Sequence, residues 1–391
     1  MALKIKVTPE DFVVEEIAAL PLTKNGDFAV YRLTKRGLNT VELLDELSRT
    51  TGAAFPLFSY GGKKDRYGLT TQYISIKSPK RWAFREKKYS LQFAGTMQRP
   101  MGPDLIEGNK FQIAVRNLVT PELKQAVTEL EAVTRFGYEN YFDDQRFGSF
   151  DAGQGFFAEK VLKKQYSGAL KIYLTSINPQ DKKDEKERKR FLFEHWKEWH
   201  ACLNRAKTAF EKKSFESLAR KPNGFLEILK EISRENLSTF FSSYQSYLWN
   251  DMLRKYIASS AVGVKKRYPG KTGDYIFYAG IPEGEYERLQ VLALPTPGTK
   301  PKFSDSISRG LYTQVLVQHG LKNSVFNSLK LRKAFFKSFL RNAIAIPQNL
   351  AWDIADDEFY RGKKKLTLGF TLSRGGFATM LIKRIFSLPL E

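Results

Sequence analysis

Apolar and polar positions alternate with period two in several short runs early in the chain, and recur every three to four residues in the segments between them. DFVVEEI (11–17) and FAVYRL (28–33) therefore read as strands, and in KFQIAVRNL (110–118) Phe111, Ile113 and Val115 alternate with Gln112, Ala114 and Arg116, as in a half-buried strand. Asn39-Thr40 predicts the start of a helix carrying Val41, Leu44 and Leu47 that closes near Gly52. Thr120-Pro121-Glu122, with Thr as N-cap, opens a second helix with Leu123, Ala126, Val127, Leu130 and Val133 on one stripe and Gly137 at its end. From about residue 153 the helical stretches lengthen. In LSTFFSSYQSYLWNDMLRKY (237–256), Phe240, Tyr244, Tyr247, Leu248, Asp251 and Met252 fall at helical spacing, a stripe expected to be core rather than an aromatic binding face. DKKDEKERKR (181–190) reads as a solvated helix face or loop. LALPTPGTKP (292–301) is a Pro/Gly-rich break. After residue 345 strand signals return in LTLGFTL and, past a Gly375-Gly376 turn, in FATMLIKRIF. The order α+β, helical, then β again predicts an α+β domain of residues 1–152 and 345–391, interrupted by an inserted domain, 153–344.

A chain of 391 residues has room for two or three domains. Lys and Arg number 64 against 42 Asp and Glu, a net charge of +22 spread along the chain, which points to a folded protein with a polyanionic partner. One cysteine, Cys202, rules out an internal disulfide framework and thiolate metal clusters, and fits a reducing compartment. His195 and His200, five apart, would lie on different faces of a helix, so a zinc site is not expected. No segment approaches the roughly 20 apolar residues of a membrane span, and MALKIKVTPEDFVVEE lacks a signal-peptide core. A soluble, cytoplasmic protein that binds no membrane is the expectation.

YGGKKDRYGLTTQY (60–73) is chemically unusual: one carboxylate, Asp65, sits among Lys63, Lys64 and Arg66 in a glycine turn that feeds a strand. Nearby cations hold a carboxylate ionised, and the glycines would let a polymer backbone approach closely. Alone, such a tripeptide is most simply a solvated turn.

Two other patterns invite chemistry and fail. PGKTG (269–273) lacks the glycine that a phosphate loop needs five residues before its Gly-Lys pair, where Lys265 stands. Asp143-Asp144 and Asp356-Asp357-Glu358 suggest magnesium ligands of a nuclease, but carboxylates adjacent on a strand point opposite ways.

Asp65 gains meaning from its company. Lys6 precedes PEDFVVEE; KRGLNT follows at 35–40, GGKKDRYGLTTQ at 61–72, GNKFQIAVR at 108–116, NYFDDQRFG at 140–148 and LSRGGFATMLIKRI at 372–385. In this order and spacing the chain resembles the TruD family of tRNA pseudouridine synthases, closely over 1–150 and 345–391 and more loosely between, mainly at SYQSYLWN and LPTPG. The resemblance implies an α+β fold: a pseudouridine-synthase-like mixed-sheet catalytic domain, circularly permuted, with an inserted α/β family-specific domain and an RNA cleft between them. It implies a monomeric isomerase acting on tRNA, at uridine 13 in bacteria, with no metal, nucleotide or other cofactor. Asp65 matches the catalytic aspartate, Lys6 an active-site lysine, Asn140 and Phe142 the NYF positions, Phe142 being the ring that stacks on the target base. Lys64 and Arg146 are further candidate RNA contacts, as are Lys363, Lys364 and Lys365. The chain departs from the family pattern at Asp143, where glycine is usual, at Asp27-Phe28, and in LSRGGFAT, which leaves open which RNA position is modified.

Uridine isomerisation breaks the N1–C1′ bond, turns the uracil and rejoins it through C5. One ionised carboxylate serves as nucleophile at C1′ or as base at C2′; the residues do not choose between these. Base extrusion costs a few kcal/mol, of which stacking on an aromatic ring returns roughly 1–3 kcal/mol. The competing readings are a non-catalytic RNA-binding protein or RNA chaperone, and a metal-dependent nuclease using the acidic clusters.

Overall fold

The structure is a computed structural model and describes residues 4–259, 265–331 and 336–390. The chain forms two compact units, Met1–Tyr138 with Ala345–Phe386, and Glu139–Ile344 with Ser387–Glu391.

The first unit is built on a sheet of ten strands among the described residues: β1 (Lys4–Ile5), β2 (Phe12–Ala18), β3 (Phe28–Arg36), β4 (Phe58–Tyr60), β5 (Leu69–Lys77), β6 (Phe84–Arg85), β7 (Tyr89–Met97), β8 (Ile106–Leu118), β9 (Gln348–Asp356) and β10 (Lys364–Ser373). Their order is β9-β10-β8-β2-β5-β3-β7-β6, with β1 on β8 and β4 on β5. Every pairing is antiparallel except β2 with β5, where Val13 lies opposite Leu69. A parallel pair brings the starts of both strands to one end of the sheet. The segments that precede β2 and β5, containing Lys6 and Asp65, are therefore delivered to the same edge.

The period-two alternation decides the faces. Ala29, Tyr31 and Leu33 of β3 and Ile74 and Ile76 of β5 pack with Leu43, Leu44 and Leu47 of helix α1 (Thr40–Thr51). Asn39 caps α1, its Oδ1 accepting the Val41 N–H at 2.9 Å, and Gly52 closes it in the left-handed conformation. Val30, Met97, Met101 and Leu105 form a separate cluster. Helix α2 (Thr120–Phe136) starts one residue earlier than a Thr120 N-cap would place it: Val119 is the cap, and the Glu122 carboxylate accepts its N–H at 3.0 Å. Residues 377–386, expected as a strand, instead contain helix α3 (Ala378–Ile385). Its Met380, Leu381, Ile382 and Ile385 are buried at helical spacing, and Arg384 pairs with the buried Glu129 of α2.

The second unit is mainly helical. The unit's longest helix is Arg234–Ser259, and of the expected stripe Tyr244, Leu248, Asp251 and Met252 are buried while Phe240 and Tyr247 are half-buried; Phe241 and Trp249 complete the core face. The charged run forms most of the helix Lys183–Glu194 and is solvated except at Arg188, which is buried in ion pairs with Glu185 and Glu211. PGKTG is the turn between the strands Lys265–Tyr268 and Tyr275–Tyr278. Lys271 in it is tied to its own chain, its N–H to Asp144 Oδ1 at 2.8 Å and its ammonium to the Phe147 carbonyl at 2.7 Å. Among the described residues no helix is long and apolar enough to cross a membrane.

Candidate active site

Asp65 lies in the loop between β4 and β5. Its Oδ2 accepts a hydrogen bond from the Lys6 ammonium, and its Oδ1 accepts the Tyr67 N–H at 2.8 Å. The two side chains keep 12 % and 15 % of their surface in contact with solvent, enough to be reached and little enough to strengthen the pair. Lys6 arrives there through a left-handed backbone conformation, φ 63°, just after β1 ends. For a residue with a Cβ that conformation costs about 1 kcal/mol or more. The same ammonium lies 4.1 Å from the centroid of the Phe12 ring, which adds a cation–π contact.

The loop is tied from below by three elements. Gln72 of β5 donates to the Gly62 carbonyl at 3.2 Å, Thr40 at the start of α1 accepts the Lys64 N–H at 3.2 Å, and the buried Lys35 of β3 donates to the Asp65 carbonyl at 2.6 Å. Thr40 and Gln72 also bond each other. Lys35 holds the Leu38 carbonyl at 2.8 Å as well, so one ammonium joins the loop to the turn leading into α1. Burial lowers the Lys35 pKa to about 8, although the Asp65 charge opposes the shift.

Two expectations change here. Of the lysines proposed to hold Asp65 charged, Lys6 makes the contact. Lys64 instead pairs with the buried Glu16 of β2 at 2.6 Å and with Asn109 Oδ1 at 2.7 Å. Nor do Gly61 and Gly68 make room for a ligand: a Cβ at Gly68 would stand 2.4 Å from the Phe12 carbonyl oxygen and one at Gly61 2.2 Å from Ile106 Cδ1, so both glycines admit the protein's own chain. Only Gly62 of the three faces open space.

A second charged cluster stands at the same end of the sheet. The Arg116 guanidinium bonds Asp11, Asp357 and Glu358 at 2.8–3.0 Å, and Asp357 also accepts the N–H groups of Asn117 and Phe359. Burial would raise the Asp357 pKa, but those N–H groups and Arg116 outweigh it and lower it. These carboxylates are consumed by structure and are not ligands in waiting.

Asn140, Phe142 and Arg146 lie in the second unit, where the three come together. Asn140 donates to the Asn342 carbonyl at 3.0 Å and accepts from the Arg341 guanidinium at 2.6 Å. The Phe142 backbone is clamped in both directions by the Asn250 amide at 2.8 Å. Its ring is 5 % exposed, edge-on to Trp249, with Arg341 over it at 4.2 Å and Arg146 at 5.8 Å. Arg146 also donates to Ser246. Lys35, which opens the KRGLNT stretch but had no role expected of it, and Arg341 were not among the expected site residues. The signal for Lys35 was present: Ala29, Tyr31, Leu33 and Lys35 share one face of β3, so a lysine continues an inward-facing row.

Comparison with known proteins gives this arrangement a class. The model of the tRNA pseudouridine synthase D (TruD) family matches residues 1–385. A Leptospira interrogans protein named tRNA pseudouridine synthase D is 32% identical over 97% of this chain and 95% of its own. A Methanococcus maripaludis relative named probable tRNA pseudouridine synthase D 1 is 30% identical over 99% of this chain and 100% of its own. A crystal structure from Methanosarcina mazei, also carrying the TruD name, superposes with a TM-score of 0.72 at 24% identity, covering 98% of this chain and 93% of that one; it shows the shared fold. The chain belongs to the TruD family, and it is an enzyme of the pseudouridine synthase class.

Proposed function

We propose that this protein converts a uridine of tRNA to pseudouridine, at position 13, with Asp65 as the reacting carboxylate. The observation that carries the reading is the Asp65–Lys6 pair, partly exposed at the edge where the two parallel strands begin. Asp65 attacks C1′ or removes the C2′ proton; either role needs an ionised, partly desolvated carboxylate, and the Lys6 ammonium offsets the cost of desolvation. Both groups come from one chain, so a monomer suffices.

In this reading Lys64 supports the site by holding Glu16 and Asn109 together beside the loop, and Asn140, Phe142 and Arg146 contact RNA from the second unit. Two guanidinium groups within 6 Å of the Phe142 ring give that patch the cationic and aromatic character that RNA binding uses. Phosphates are met by cations without a protein partner. Among the described residues, Arg66 beside Asp65, Arg85 at the end of β6, and Lys87 and Lys88 in the turn before β7 are exposed and have no ion-pair partner. The Lys88 carbonyl accepts the Arg36 N–H, which puts that turn at the catalytic end of the sheet.

The test is tritium release from tRNA transcripts labelled at uridine C5. Wild type should release tritium and Asp65→Asn should not, and a transcript with cytidine at position 13 should lose the signal. Release from that transcript would move the target elsewhere. Equal release by both proteins would remove Asp65 from the chemistry. Tight binding with no release from any transcript would favour an RNA-binding protein without catalysis.

A further inference from the structure

We infer that Lys35 is a positioning residue for the reaction: its buried ammonium fixes the backbone of Asp65, and with it the aim of the carboxylate. This rests on Asp65 being the reacting group.

Lys35 is 0 % exposed, and its two partners are carbonyl oxygens, those of Leu38 and Asp65. Burying a lysine without a contacting carboxylate is expensive, and the depressed pKa is the signature of that cost. On β3 the residue stands in register with Thr70 of β5 and Tyr89 of β7, in the row where Tyr31 and Leu33 pack against α1. A methionine would fill such a place without the charge. A lysine there ties down the carbonyls it holds at the cost of burying its charge. It holds the carbonyl of the reacting residue from a strand locked on both sides, while Thr40 and Gln72 hold the loop at Lys64 and Gly62. The side chain of Asp65 is then aimed from three backbone anchors, and Lys6 adds only the charge partner. A displacement of about 1 Å in such a group can cost about 100-fold in rate.

The experiment compares wild type, Lys35→Met and Asp65→Asn in the tritium-release assay on a tRNA transcript, with Kd for the same transcript and thermal melting measured in parallel. The expected result is that Lys35→Met lowers kcat at least 10-fold, with KM and Kd within about 2-fold of wild type and Tm within about 5 °C. The loss then lies in the chemical step of folded, RNA-bound enzyme. If Lys35→Met does not fold, Lys35→Gln, neutral but with an amide donor, is held to the same split between kcat and KM. A kcat within 2-fold of wild type, or a loss that follows the unfolded fraction, overturns the proposal. Failure of the underlying reading looks different: wild type itself would be inactive, or Asp65→Asn would be as active as wild type.

Discussion

The end of the sheet where β2 and β5 begin holds two clusters of paired acidic and basic side chains, and they differ in how deeply they are buried. Around Arg116, the Asp11, Asp357 and Arg116 side chains are no more than 5 % exposed, and these two carboxylates, the half-exposed Glu358 and the backbone N–H groups of Thr8, Asn117 and Phe359 share one network. The Asp65 carboxylate accepts from the Lys6 ammonium and the Tyr67 N–H, the Asp65 and Lys6 side chains both stay partly accessible, and Lys6 takes a left-handed backbone conformation to reach it. A fully satisfied buried network resists change and holds chain segments in place. An accessible ion pair held by backbone tethers can exchange its partner for a substrate. Burial thus separates the carboxylate proposed to react from the structural ones, where residue type and clustering do not.

The sharpest way to break this comparison is to make the same substitution in each cluster. Asp65→Asn should lower kcat by about 10³-fold or more, because the proposed reaction runs through that carboxylate, with little change in melting. Asp357→Asn should leave turnover per folded molecule within about 2-fold and cost about 3 kcal/mol of stability, measured by urea unfolding, because Arg116 loses a buried partner. If Asp357→Asn lost turnover at full stability, the division into reacting and structural clusters would be wrong. Lys6→Met should lie between the two, with a loss of about 10- to 100-fold in kcat and less than about 1 kcal/mol in stability, because the pair is partly solvated.

Much of this end of the molecule was legible in the sequence. The alternation in 11–17, 28–33 and 110–118 and the Asn39 and Gly52 caps predict elements that the structure contains, because short-range periodicity and capping are local properties. The parallel pairing of β2 with β5 is not local, and it is what joins Lys6 to Asp65 across 59 positions. Only the family pattern put those two residues in one site beforehand. FATMLIKRIF misled because a short apolar run after a strand reads equally well as strand or helix; packing of Leu381 and Ile385 decides for the helix. Lys64 misled because proximity in sequence to Asp65 says nothing of side-chain direction, and Glu16, far away in the chain, takes the ammonium.

RNA binding sharpens the comparison from outside the clusters. Replacing Arg85, Lys87 and Lys88 with glutamine should weaken tRNA binding about 10-fold at moderate salt and flatten the salt dependence by about 2 units of slope, without changing kcat at saturating tRNA. The same charge removed at the other end of the sheet, Lys24, Lys77 and Lys80 to glutamine, should change Kd less than about 2-fold. Equal effects would mean that the protein attracts RNA by net charge alone and that the catalytic end has no special claim.

The smallest effect concerns Lys35, and its sign is the test. Its pKa in the folded protein is about 8, below the ordinary lysine value of 10.5. Between those two values the unfolded chain holds a proton that the folded protein has released, so the contribution of Lys35 to stability rises with pH. Below about pH 8 both states are protonated and the full cost of burial is present; above about pH 10.5 it is gone. The whole range amounts to a few kcal/mol at most, and only the part between pH 8 and 9.5 is conveniently measured. Unfolding free energies of wild type and Lys35→Met, compared across that window, remove the contributions of the other lysines and tyrosines. Wild type should gain on the variant by about 1 kcal/mol as the pH rises. A constant difference would mean that Lys35 is not carried at an energetic cost, and that the Asp65 loop is held no differently from the Arg116 cluster.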